Sequence, residues 1–165
     1  MNAIFTRTSV RSYEERPVEA EKIEKILRAA MAAPSAVNQQ PWEFYVVTDK
    51  AVLAELSQVS PYTAMTAKAP VAIVLCSRKE NIIVPELIDV DMAIATENVL
   101  LEIEAQGLGG VMLGIAPFAD RMEKVSKALN LPENLSPFTV VPCGYPAKKN
   151  LQQDRYDEQR VHYVK

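Results

Sequence analysis

Metal ligands are scarce in this 165-residue sequence, which holds two cysteines and one histidine. Cys76 and Cys143 stand far apart in apolar runs, and no paired cysteine motif accompanies His162. A metal site is therefore not expected, and buried, reduced thiols are the plain reading of both cysteines. Long apolar runs are missing too. Stretches such as residues 71–76 are far too short to span a bilayer. No charged-then-apolar leader opens the sequence, so a cytoplasmic protein is expected. Positive charge is not in surplus either. A net charge of −3 and a pI near 5.3 give no global basic field, which argues against nucleic acid or an anionic membrane as the main partner. Repeats, low-complexity tracts and obvious linkers are absent.

What is present reads as an ordinary globular chain, 48% hydrophobic and 24% charged. Its length fits one domain over residues 1–165 with a substantial core. Residues 19–32 carry Ile23, Ile26, Leu27, Ala30 and Met31 at helical spacing, with Pro17 before them and Pro34 to stop the helix. Residues 42–48 read as a strand, and Asp49 suits the cap of a short helix. Residues 71–76 form a second strand. Residues 91–106 predict a long helix that is apolar on several faces and ends at Gly107. A helix apolar nearly all round is buried all round, and a partner subunit would supply the extra cover. Residues 111–115 and 138–143 predict two more strands around a helix over 119–129, and residues 161–164 a possible edge strand. Alternation alone favours a doubly wound parallel sheet.

Two segments carry chemistry. Arg7, Thr8, Ser9 and Arg11 place two guanidinium forks beside hydroxyls, a set suited to a terminal phosphate. The loop 33–42 puts small and amide residues between Pro34 and Pro41, a rigid turn with donors and acceptors for a polar-edged planar ring. Trp42 reads as a core anchor. The glycines at 107, 109, 110 and 114 are poor evidence for a dinucleotide fold. Met112 stands where the last fingerprint glycine belongs, and the segment runs from helix into strand, the reverse of the required order.

The Arg-x-Ser-x-Arg-x-aromatic element formed by Arg7, Ser9, Arg11 and Tyr13, and the Ala-Pro-Ser-x-x-Asn-x-Gln-Pro-Trp loop, resemble the nitroreductase family of FMN-dependent oxidoreductases. The likeness continues through Asp91 to Asn98, Gly107 to Gly110, Pro142 to Pro146 and Arg155. It implies an α+β fold with a mixed, mostly antiparallel central sheet flanked by helices, built as an interlocked homodimer. It also implies FMN, NADH or NADPH as electron donor, and electron-poor acceptors such as nitroaromatics or quinones reduced in a ping-pong sequence. Arg7, Arg11 and Thr8 or Ser9 would hold the phosphate, with Arg155 closing that site. Gln153 stands where the family often has lysine, which implies either a lower phosphate affinity or substitution by Lys148 or Lys149. Pro34, Ser35, Ala36 and Asn38 would reach the flavin of the other subunit. Met112, Leu113 and Gly114 would pack near the ring, the Gly114 N–H facing flavin N5. No side chain is expected to act as catalytic acid, base or nucleophile. Asp91, Glu97 and Asn98 read as capping and interhelical residues, and His162 as a tail contact. Larger relatives place asparagine and lysine where Pro61 and Ala64 stand, near Tyr62, Met65 and Lys68, and have a longer segment than residues 77–90. Two other readings fit the same resemblance: a flavin storage or sensor protein with little turnover, and a reductive dehalogenase.

Overall fold

A computed structural model describes residues 2–148, 151–152 and 154–165. Among the described residues five strands and five α-helices follow in the order α1 (Ala3–Thr6), α2 (Ala20–Met31), β1 (Trp42–Val47), α3 (Lys50–Leu56), β2 (Val71–Arg78), α4 (Ile88–Ala105), β3 (Gly109–Gly110), β4 (Leu113–Gly114), α5 (Ala119–Leu129) and β5 (Leu135–Gly144), alternating from β1 to β3. The sheet order is β1-β2-β5-β3, with β4 also on β5. Every ladder is antiparallel. The one parallel pairing is the isolated bridge from Ser9 to Gly110. The alternation of strands and helices is thus real, but the doubly wound parallel sheet it suggests is not formed. Val47 pairs with Ala72, so the connection through α3 leaves and returns at the same end of the sheet. Periodicity reports the helix between two strands and not the end to which the chain returns.

β2 is the sheet's spine and is buried along nearly its whole length. Successive side chains point to opposite faces. Val71, Ile73 and Leu75 enter the layer under α2 and α4, with Ile26, Met92, Val99 and Ile103. Ala72, Val74 and Cys76 enter the layer under α3 and α5, with Leu53, Leu56 and Val125. Trp42 is buried in the first layer, as its place at the strand start suggests.

Local chemistry sets the element ends. The Asp49 carboxylate accepts from the N–H groups of Ala51 and Val52 and starts α3. Gly107, at φ 72°, ends α4. Its N–H donates to Glu104, and the Leu108 N–H donates to Ile103, which satisfies two last-turn carbonyls. The strand expected over 111–115 proves to be two short pieces. β3 and β4 keep one register on β5, but Pro142 lies opposite Val111 and has no N–H to give. Met112, in the gap, is half-exposed. Residues 161–164 form no strand. They lie exposed beyond a single 3-10 turn at Glu158–Arg160. Among the described residues no helix is long and apolar enough to cross a membrane.

Candidate functional site

The N-terminal segment is stitched to the glycine strand. The Val10 N–H donates to the Gly110 carbonyl at 3.0 Å, and Ser9 bridges Gly110. Gly109 allows this approach, because a Cβ there would lie 2.6 Å from Val10 Cγ2. Tyr13 fastens the far end, its hydroxyl lying 2.8 Å from the Val10 carbonyl and 3.0 Å from that of Pro142. Burial, and then the neighbouring Cys143, pushes the Tyr13 phenol up from its ordinary range. It stays a proton donor at neutral pH.

This stitching carries Arg7, Thr8, Ser9 and Arg11 along the Gly109–Gly110 edge. Arg7 faces Glu97 of α4 at 3.6 Å, a long ion pair. Arg11 is exposed and pairs with no carboxylate among the described residues. Thr8 and Lys148 line one groove of about 570 Å³ with Glu104, Gly107 and Leu108. Lys148 is thus placed as a second cation near the arginine segment. Lys149 and Gln153 lie outside the described residues.

Four residues beyond Gly110 the same edge reaches Gly114, at most about 13 Å further for extended chain. Gly114 is open: a Cβ built on it would meet only Arg121 Nη1, at 3.9 Å. Leu113 is buried, its carbonyl accepting from the Thr139 hydroxyl at 2.8 Å. The structure therefore joins the arginine segment and Met112–Leu113–Gly114 on one edge of one chain.

The Pro34 loop is held by its own hydrogen bonds, centred on Asp91 at the start of α4. The Ala36 N–H donates to Asp91 Oδ1 at 2.9 Å, and Gln39 Nε2 donates to Asp91 Oδ2 at 2.7 Å. Gln39 Oε1 accepts from the Ile83 and Val84 N–H groups. Ser35 Oγ accepts from the Gln40 N–H, and Asn38 Oδ1 from Gln40 Nε2. Arg78 Nη2 donates to the carbonyls of Gln39 and Gln40, while its buried Nε has no partner. These bonds hold Val37, Asn38 and Gln40 at φ between 46° and 58°, left-handed backbone that a branched residue such as Val37 seldom adopts. Among the described residues, the hydrogen bonds of this loop run to Asp91, Ile83, Val84 and Arg78. Arg155 stays apart, in the exposed tail, with no hydrogen bond or ion pair to a described residue.

Asn98 joins two helices, as its position suggested, whereas Asp91 anchors the Pro34 loop rather than capping or bridging helices. Asn98 Nδ2 donates to the Ala29 carbonyl at 2.9 Å. His162 is exposed. Burial pushes the thiols of Cys76 and Cys143 up to about 12, so neither is a nucleophile at neutral pH. Among the described residues no three metal-ligating side chains cluster. Sequence reasoning passed over Gln39, Arg78 and Arg121. A buried glutamine in an amide-rich loop and a cation ending an apolar strand looked like their neighbours. An arginine in an amphipathic helix gave no signal at all.

A family model for the nitroreductases matches residues 4–62 and 58–145. The chain belongs to the nitroreductase family. A Methanothermobacter thermautotrophicus protein named "Putative NADH dehydrogenase/NAD(P)H nitroreductase" is 42% identical over 165 residues, spanning 100% of this chain and 86% of its own. A solved Clostridium acetobutylicum structure, called a "Putative NADH Oxidase", superposes with a TM-score of 0.95 at 45% identity, covering 99% of each chain. A nitroreductase structure from Desulfovibrio desulfuricans, solved in complex with FMN, superposes with a TM-score of 0.84 at 27% identity, covering 99% of this chain and 95% of the other. This nitroreductase is thus a compact member of an FMN-dependent oxidoreductase family, and its antiparallel sheet between helices is the family's fold. The residues present fit the cofactor's chemistry. Two arginines with adjacent hydroxyls suit a phosphate, and the open backbone at Gly114 leaves room for a flat ring.

Proposed function

We propose that this chain is a cytoplasmic, single-domain enzyme that takes reducing equivalents from NADH or NADPH and passes them to electron-poor acceptors, nitroaromatics or quinones, in a ping-pong sequence. The observation that carries the reading is the continuous edge from Arg7 to Gly114. Two arginines lie toward one end of that edge and an uncovered glycine at the other, which supports a phosphate end and a ring end. FMN, when bound, supplies the hydride-accepting and hydride-donating chemistry.

The protein's own part is to bind and orient. Arg7 and Arg11, with Thr8 and Ser9, hold the phosphate by charge-assisted hydrogen bonds. The short pieces β3 and β4 set Gly114 at the ring end, where a backbone N–H favours the negative charge of the reduced cofactor. Pro34, Ser35, Ala36 and Asn38 complete the site from the second subunit of a homodimer. Within one chain the loop's own hydrogen bonds run to Asp91, Ile83 and Val84, which agrees with that arrangement. So does apolar surface left open on Phe5, Ile83, Val90 and Leu151. Arg155, free in the tail, closes the phosphate end in the same assembly.

The test is fluorescence titration with FMN and with riboflavin. Arg11→Ala should weaken FMN by about tenfold or more and leave riboflavin nearly unchanged, with the urea midpoint of the FMN-free protein preserved. Equal FMN affinity in parent and variant would remove Arg11 from the site.

A further inference from the structure

We propose that the open face beside Gly114 takes aromatic acceptors bearing a carboxylate, and that Arg121 reads the charge. The proposal rests on the nitroreductase reading above and names the class of substrate for that site.

The first turn of α5 returns Arg121 to β4, where its Nη1 donates to the Gly114 carbonyl at 2.7 Å. Its guanidinium carbon lies 4.0 Å from the centre of the Phe118 ring and 6.0 Å from that of Tyr62. Both aromatics are largely uncovered, Phe118 at 48% and Tyr62 at 71% exposure. No carboxylate among the described residues pairs with Arg121. One donor of the guanidinium fork is engaged, which leaves the other N–H groups for a ligand. Arg121 and Lys124 line a cleft of about 360 Å³ with Asp120, Ser60 and Pro61, two cations against one carboxylate. Lys124 Nζ gives one donor to the Val59 carbonyl at 3.3 Å and keeps others, but Arg121 is the cation that lies against the two aromatics.

Two exposed aromatics beside a guanidinium with donors to spare match a planar ring with an acidic substituent. The ring stacks while the fork pairs bidentately with the carboxylate. Inorganic phosphate would use the fork but neither ring. The aromatics therefore favour the aromatic acid.

Calorimetric titration with 4-nitrobenzoate, 4-nitrobenzyl alcohol and inorganic phosphate, on the protein with and without FMN, tests this. All the recognising groups belong to one chain, so 4-nitrobenzoate should bind in both states. Arg121→Ala should weaken it by about tenfold, Arg121→Lys by less, and the alcohol should be unaffected. In turnover the loss should fall on KM for the acid and spare KM for NADPH. An equal loss for acid and alcohol, no loss at all, or a loss confined to phosphate and NADPH would each overturn the proposal. Arg121-dependent binding of 4-nitrobenzoate by a protein that takes up no FMN would uphold the role of Arg121 and sink the cofactor reading instead.

Discussion

Asp91 shows how a single side chain can hold a functional loop. Its buried carboxylate accepts from the Ala36 N–H and the Gln39 amide, and Gln39 in turn holds the Ile83 and Val84 backbone. Asp91→Ala strands those donors away from water, at a cost of about 2–4 kcal/mol. The expected result is a lower urea midpoint together with faster amide exchange at residues 35–40. A drop in stability with exchange unchanged would mean that Asp91 does not set the loop. In the sequence the loop was recognisable from its prolines and amides, but not its anchor. The two lie 52 residues apart along the chain, and an aspartate entering a helix looks like any dipole-complementing first-turn acid. Arg121 was invisible for a related reason. Its meaning comes from the gap beside Gly114, and a missing Cβ matters only once the chain is folded.

At the scale of elements, the helices were legible and the sheet only in part. The expected bounds of α2 and α5 agree with the structure to within a residue, and Asp49 does cap the short helix after it, because apolar period, caps and prolines act locally. Strand direction and the split of β3 from β4 depend on what lies opposite, and Pro142 acts from 31 residues downstream. The two glycines of this region should respond differently. Gly107→Ala should cost about 1 kcal/mol through its left-handed backbone alone and leave FMN affinity unchanged. Gly109→Ala should cost about 1–3 kcal/mol, because the new methyl displaces Val10, and should weaken FMN as the arginine segment moves. Denaturant melts and FMN titration read both effects. Equal FMN affinity in the two variants would uncouple the glycine strand from the phosphate end.

For the molecule as a whole, the buried thiols set a limit on the alkaline side. The Cys76 and Cys143 pKa values rise from 9.0 to about 12 on folding, so the unfolded chain releases protons first as pH climbs. The stability present below pH 9 is lost between pH 9 and about 12, at about 1.4 kcal/mol per pH unit for each thiol, and Tyr13 adds to the same trend. Urea midpoints should fall between pH 8 and about 10.5, and Cys143→Ala should flatten that slope whatever it does to the midpoint at pH 8. Assembly is the other property at this scale. The apolar faces left open by α1, α4 and the tail should be covered in a two-chain species by sedimentation, with FMN affinity lost on dilution to single chains. The family was legible in the sequence because its motifs are local. The joining of Arg7 to Gly114 on one edge was not, since it depends on a bridge between residues 9 and 110. The most direct measurement is the anaerobic visible spectrum of the purified protein with added FMN, before and after NAD(P)H. Protein-bound flavin bands that bleach on adding the donor are expected, and no bound flavin at excess FMN would contradict the reading of Arg7, Arg11 and Gly114 together.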